Sequence, residues 1–128
     1  MKRLTVFFTT LIVLTGLTAS AQAVIKFDKT AHNFGTFLES KPVSCVFSFT
    51  NNGNQPLVIQ QAFSSCGCTV ANYTKTPIEP GKKGQINVTY NGKGKFPGYF
   101  KKPITIRSNA SNSMTRIYIE GTMQKDEK

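Results

Sequence analysis

The sequence predicts an all-β fold, and three observations carry that prediction. No stretch after the N-terminal region sustains a 3.6-residue apolar period. Short runs of strict apolar/polar alternation recur instead, and clusters of Gly, Pro and Asn separate them. About seven such runs in roughly 100 residues describe an immunoglobulin-like β-sandwich of about seven antiparallel strands, following a cleaved signal peptide. Alternation places one face of each strand in the core and the other in water. An antibody-type domain is excluded, because the chain has no Trp and its three cysteines do not fit a Cys…Trp…Cys spacing.

Residues 1–23 read as a signal peptide. Lys2 and Arg3 form a positive start, Leu4 to Leu17 is mostly apolar, and both Ala19-Ser20-Ala21 and Ala21-Gln22-Ala23 fit the small-residue cleavage pattern. The apolar run is shorter than the ~20 residues of a spanning helix. No cysteine stands at the cleavage point, so a lipoprotein is not expected.

The domain is placed at residues 24–123. Ile25 and Phe27 alternate, and Phe34-Gly35-Thr36-Phe37 continues or pairs with that edge. Val43, Cys45, Phe47 and Phe49 form a period-2 face that ends in the turn cluster Asn51-Asn52-Gly53-Asn54-Gln55-Pro56. Leu57, Ile59 and Phe63 share the next inward face, and Pro80-Gly81 marks another turn. Ile86, Val88 and Tyr90 alternate before the glycine-rich tip Asn91-Gly92-Lys93-Gly94-Lys95. Phe100, Ile104 and Ile106 follow, with Pro103 indicating an edge strand or bulge. Ile117, Ile119 and Met123 close the set, and residues 124–128 form a charged tail.

Basic residues outnumber acidic ones by 16 to 6. A cationic exported domain points to an envelope protein or another anionic envelope component as partner. No recognition motif for nucleic acid is present, and no segment of the mature chain is apolar enough to span a bilayer.

At this point the residues resemble a known family. Asn33-Phe34-Gly35, Phe47-Ser48-Phe49-Thr50-Asn51-Asn52-Gly53, Pro56-Leu57, Ser65-Cys66-Gly67-Cys68-Thr69, Pro77-Ile78-Glu79-Pro80-Gly81 and Ser108-Asn109 follow one another in order. The pattern is similar to a bacterial exported Ig-like domain family of unknown function with a Ser-Cys-Gly-Cys-Thr signature, itself similar to Hydin and major-sperm-protein-type Ig-like domains. The resemblance covers nearly the whole mature chain. It implies an Ig-like sandwich in the periplasm or outside the cell, with Cys66 and Cys68 as signature positions and no catalytic residue. Cys45 is not part of that signature.

The cysteines admit several chemistries. Cys45 lies on an apolar strand face and reads as a small buried hydrophobe. The competing reading is a bridge to Cys66 or Cys68, closing a loop of about 20 residues and contributing roughly 3 kcal/mol. A Cys66–Cys68 disulfide would be too long in a straight strand, and Gly67 allows a kinked or positive-φ backbone that shortens it. Such a tight bridge suits a structural clip or a reducible pair. Two adjacent thiolates also suit copper, with His32, Met114 and Met123 as the other soft donors.

No catalytic set is legible. His32 is the lone histidine, and Asp28, Glu39, Glu79 and Glu120 are scattered rather than paired. The sequence therefore predicts a non-enzymatic binding or scaffolding module without a cofactor, and its alternative is thiol redox or copper handling at Cys66-Gly67-Cys68. The candidate binding patch is Lys93, Lys95, Tyr99, Phe100, Lys101 and Lys102, where lysines flank turns beside an aromatic pair. The same lysines also serve a sandwich by discouraging edge-to-edge pairing.

Overall fold

The computed structural model describes residues 21–67 and 69–126. Residues 1–20 of the expected signal peptide, Cys68 and residues 127–128 of the expected tail lie outside the described residues. The strands are β1 (Ile25–Phe27), β2 (Ala31–Leu38), β3 (Val43–Asn51), β4 (Ile59–Phe63), β5 (Thr69–Tyr73), β6 (Lys83–Tyr90), β7 (Gly98–Ser108) and β8 (Met114–Gln124). They form two four-stranded sheets, ordered β1-β3-β6-β5 and β2-β8-β7-β4. Among the described residues none is helical. Most of the inward faces that alternation marks meet in the core, where Phe47, Phe49, Ile86, Val88, Ile104, Ile106, Ile117 and Ile119 are fully buried; Phe63 does not, because a register shift between Ile59 and Gln61 turns Ala62 inward and leaves Phe63 exposed.

Two features depart from the sequence reading. There are eight strands rather than seven, and β2 runs parallel to β8. The N-terminal edge is split: after Phe27 the chain leaves β3, crosses to the other sheet and runs alongside β8 in the same direction. The register of β2 shifts between Asn33 and Thr36. There the Asn33 side chain accepts the Gly35 N–H at 2.7 Å, and Gly35 takes a φ of 70°. That conformation favours glycine and explains the Asn33-Phe34-Gly35 motif as a bulge. Boundaries also move. Gln124 is the last residue of β8, opposite Leu38, rather than part of a tail. Gln22 and Ala23, which the sequence reading assigns to the signal peptide, pack against the sandwich: Ala23 is 2% exposed and its carbonyl accepts the Ser111 N–H.

Pro103 sits in β7, an inner strand by sheet order, yet the edge prediction holds locally. β4 pairs with β7 only from Phe63 opposite Thr105 onward, so the Gly98–Ile104 stretch has β8 on one side and, among the described residues, no strand on the other. The hydrogen-bonding phase is fixed by three backbone bonds. The Tyr118 N–H donates to Thr30 O, away from its β7 neighbour Pro103. The Ser108 N–H donates to Ser113 O, and the Asn109 N–H donates to Val58 O. Even-numbered residues of β7 therefore face β8, and odd-numbered ones face the β4 side. The missing N–H of Pro103 falls on the side where no strand pairs, so it costs the sheet no bond.

One end of the sandwich is held by asparagine side chains. Asn51 is 0% exposed, and its carboxamide uses all of its hydrogen-bonding capacity. Its Oδ1 accepts the N–H groups of Gly53 (2.9 Å) and Val24 (3.3 Å), while Nδ2 donates to Gln55 O (2.7 Å) and Ile78 O (2.9 Å). A Cβ at Gly53 would run into the Gln22 carbonyl, which is why glycine follows two asparagines here. Asn112 caps Ile25 through both its N–H and C=O, and Asn109 does the same for the segment entering β4 through Val58 N–H and Pro56 O. Replacing a buried, fully bonded amide with an isosteric apolar group strands several backbone partners at once. Asn51→Leu is expected to lower the unfolding free energy by about 3 kcal/mol, read as a drop in the urea midpoint at unchanged slope.

Candidate functional site

The opposite end of the sandwich gathers Cys66, Gly67 and the lysine–aromatic patch that the sequence singled out. It is formed by the β2–β3 turn, the β4–β5 connection carrying Cys66 and Gly67, and the lysine-rich β6–β7 tip.

Cys66 packs against the core, and its N–H donates to Ser64 Oγ at 3.3 Å. The Thr69 N–H donates back to Cys66 O at 3.1 Å. Gly67 does not adopt positive φ, and a Cβ there would meet open space. Gly67 therefore does not use the left-handed backbone that the sequence reading allowed for. Cys68 lies outside the described residues.

Cys45 is a free, buried thiol on the inner face of β3 opposite Val88, so its reading as a small core hydrophobe is the correct one. Burial pushes its pKa up to about 11, against a weaker opposing pull from Lys29. The remaining soft donors are scattered. His32 lies in β2, at the far edge of its sheet from the β4 side where Cys66 emerges. Its Nδ1 accepts from Lys29 Nζ at 2.8 Å; partial burial and then the Lys29 charge lower its pKa. Met123 is in the core and Met114 is exposed at the start of β8. Among the described residues no three His, Cys, Asp or Glu side chains converge.

The six-residue binding patch divides by strand alternation. Tyr99 and Lys101 point outward from β7. The Tyr99 hydroxyl donates to Glu120 Oε2 at 2.6 Å, a bond that raises its pKa, and Lys101 Nζ lies 5.2 Å from the Tyr118 ring centroid. Phe100 points inward. It stacks on Tyr90 from the other sheet with centroids 4.4 Å apart and meets Phe37 edge-on at 5.9 Å. This trio closes the core at the tip, so Phe100 acts in the fold rather than on the surface. Lys102 shares its inward phase and is half-buried. Lys93 and Lys95 flank an open cleft of about 600 Å³ beside Phe96, Pro97, Glu39 and Ser40. Phe96 was not singled out in the sequence, yet it is 96% exposed, which makes it the most exposed large apolar side chain among the described residues. Its signal was its place in a Gly/Pro-flanked tip, where a core residue has nothing to pack against.

Residues 25–123 match the family described as "Protein of unknown function (DUF1573)". The chain belongs to the DUF1573 family. No curated protein matches it. Among solved structures, a protein of unknown function from Porphyromonas gingivalis W83 is similar over 84% of this chain and 50% of its own length, at 18% identity and a TM-score of 0.70. The chain thus spans half the length of that relative. The PapD-like domain 7 of human CEP192 is similar over 88% of this chain and 93% of its own, at 10% identity and a TM-score of 0.67. WR4, a C. elegans MSP family member, is similar over 80% of this chain and 100% of its own, at 10% identity and a TM-score of 0.51. At these identities the likeness shows the Ig-like sandwich fold alone.

Most of the motifs by which this DUF1573 chain resembles its family now have a structural account: the Asn33–Gly35 bulge, the Asn51 amide hub and the Asn109 bracket at the start of β4. The split of the aromatic pair gives opposite expectations for its two members. Phe100→Ala should cost about 2 kcal/mol by removing a half-buried ring stacked across the two sheets, whereas Tyr99→Ala should stay within about 1 kcal/mol of the parent. Chemical unfolding of the two variants checks this directly.

Proposed function

We propose that this DUF1573 chain is an exported, non-enzymatic Ig-like module that binds or scaffolds a component of the bacterial envelope, in the periplasm or outside the cell. One observation carries the reading: the two ends of the sandwich are built differently. The end around Asn51 is stitched shut by side-chain amides, while the tip end presents an exposed Phe96, an exposed Tyr99 and the lysines 93, 95 and 101. Among the described residues the one ion pair is Lys83–Asp28, so none of these lysines is neutralised by a salt bridge. Exposed aromatics beside unpaired cations suit an anionic protein partner. A photo-crosslinking residue at position 96 is expected to trap an envelope partner in cells, and one at position 54, at the stitched end, is expected to trap none. Equal trapping at both positions, or none at either, would contradict the reading.

In this proposal the Cys-Gly-Cys element is a clip. The disulfide-bonded state of Cys66 beside a free Cys45 supports a Cys66–Cys68 bridge across Gly67. Export is supported by the leader pattern, and the packing of Gln22 and Ala23 favours cleavage after Ala21. Cleavage after Ala23 would remove a buried alanine and the Gln22–Asn54 contacts. Intact mass of protein recovered from the exported compartment tests both points. A chain beginning at Gln22 is expected, with one thiol alkylated in denaturant before reduction and three after it. Three reactive thiols before reduction would contradict the clip and favour the thiol or copper reading.

A further inference from the structure

The outer edge of β7 between Tyr99 and Pro103 is an unused strand-pairing site, and we infer that it docks an extended acidic segment of a partner protein as an added β-strand. The inference rests on the binding-module reading above and names the surface and the class of partner.

The edge exists because β4 is short. β4 stops at Phe63 opposite Thr105, and the chain then crosses to the other sheet, where it resumes as β5 beside β6. By the phase established above, the backbone groups of Tyr99, Lys101 and Pro103 point to the side that β4 has vacated. Among the described residues no strand pairs with them there. Two N–H donors, from Tyr99 and Lys101, and three carbonyls, from Tyr99, Lys101 and Pro103, thus continue the line of the β4 ladder. A row of unpaired strand groups is a template for another extended chain. Exposed aromatic rings bracket it: Phe63 at the β4 end, 41% exposed, and Phe96 just before β7 at the other.

Charge selects the occupant. Lys101 projects outward from the middle of this edge, and Arg116 lies one strand over, opposite Thr105; the one carboxylate of that outward face, Glu120, lies opposite Lys101 on the β8 side and accepts the Tyr99 hydroxyl, which leaves the β4 side of Lys101 without a counter-charge among the described residues. A second copy of this chain fits poorly. Symmetric antiparallel pairing centred on Lys101 sets two lysines directly opposite each other, which is destabilising. It also places each Tyr99 opposite Pro103, which has no N–H to give. A strand with Glu or Asp opposite Lys101 turns the same position into an attractive cross-strand pair. Residues of that strand opposite Phe100 and Lys102 fall on the inward side, so alternating apolar and acidic residues match the site.

The test uses a peptide of about eight alternating Val and Glu residues, long enough for one strand, with the Val/Lys peptide as its control. Lys101→Pro removes one outward N–H and leaves the bonds from β7 to β8 in place; Lys101→Gln removes the charge but keeps the N–H. Saturable binding of the Val/Glu peptide to the parent protein is expected. Lys101→Pro should weaken it roughly ten-fold or more, Lys101→Gln should weaken it less, and the Val/Lys peptide should not compete. Should Lys101→Pro not fold, Lys101→Glu keeps the backbone intact and is expected to exchange the preference from the acidic to the basic peptide. Unchanged binding in folded Lys101→Pro, no saturable binding up to about 1 mM, or dimerisation of the parent that Lys101→Pro abolishes would each overturn the inference. If position 96 still traps an envelope partner in Lys101→Pro cells, the edge is wrong and the module reading stands; if the parent traps none, the module reading itself has failed.

Discussion

The buried carboxamide of Asn51 is the interaction on which the rest of this sandwich depends. It sits at the end of β3, where three stretches of irregular backbone meet, and it bonds Val24 from the first, Gly53 and Gln55 from the second and Ile78 from the third. Its own backbone N–H and C=O reach Lys82 and Gly81. Loops that cross the open end of a sandwich bring polar backbone groups into a dry environment, and each left unpaired there costs free energy. One planar amide with two donors and two acceptor sites resolves that problem at a single point. Asn109 and Asn112 repeat the device at the start of β4 and along β1. The end of the sandwich that carries no exposed aromatic among the described residues is therefore the end that holds the loops in place.

That arrangement leaves the opposite end to other work. There the core is closed by the Phe37, Tyr90 and Phe100 rings rather than by amides. Aromatic closure seals the interior without tying down the loops above it, so the lysine tip and Phe96 project freely. β4 is short: once the chain turns through the Cys66 segment toward the other sheet, the Tyr99–Pro103 stretch of β7 has, among the described residues, a strand neighbour on one side only. The cysteine turn and the open strand edge are two consequences of one crossover. This is why the Cys66 segment lies beside the surface proposed to bind, although it need not touch a partner itself.

Much of the fold was legible in the sequence, because a strand with one wet face writes its burial directly into its residues. Phe47-Ser48-Phe49 and Ile104-Thr105-Ile106 read inward-outward-inward and fold that way. The parallel pairing of β2 was not legible, since it depends on which sheet the chain joins after Phe27, and alternation is silent about neighbours. The binding patch was half legible. Lys93, Lys95, Tyr99 and Lys101 do lie at one end, but adjacent residues in a strand point to opposite faces, and that sends Phe100 to the core. Asn51 read as a turn residue, because composition does not distinguish an exposed turn asparagine from a buried one. The significance of Pro103 emerged only with register: a residue lacking an N–H marks the strand position that no internal neighbour needs.

The central claim is that β7 is half-edge: paired with β8 along its length, yet open on its other side from Tyr99 to Pro103. Residue-resolved amide hydrogen exchange in the isolated protein tests it most directly. The account predicts an alternation, with the Phe100 and Lys102 amides protected by β8 and those of Tyr99 and Lys101 exchanging like exposed loop amides. Equal protection of all four would mean that the edge is already covered, and would contradict the account.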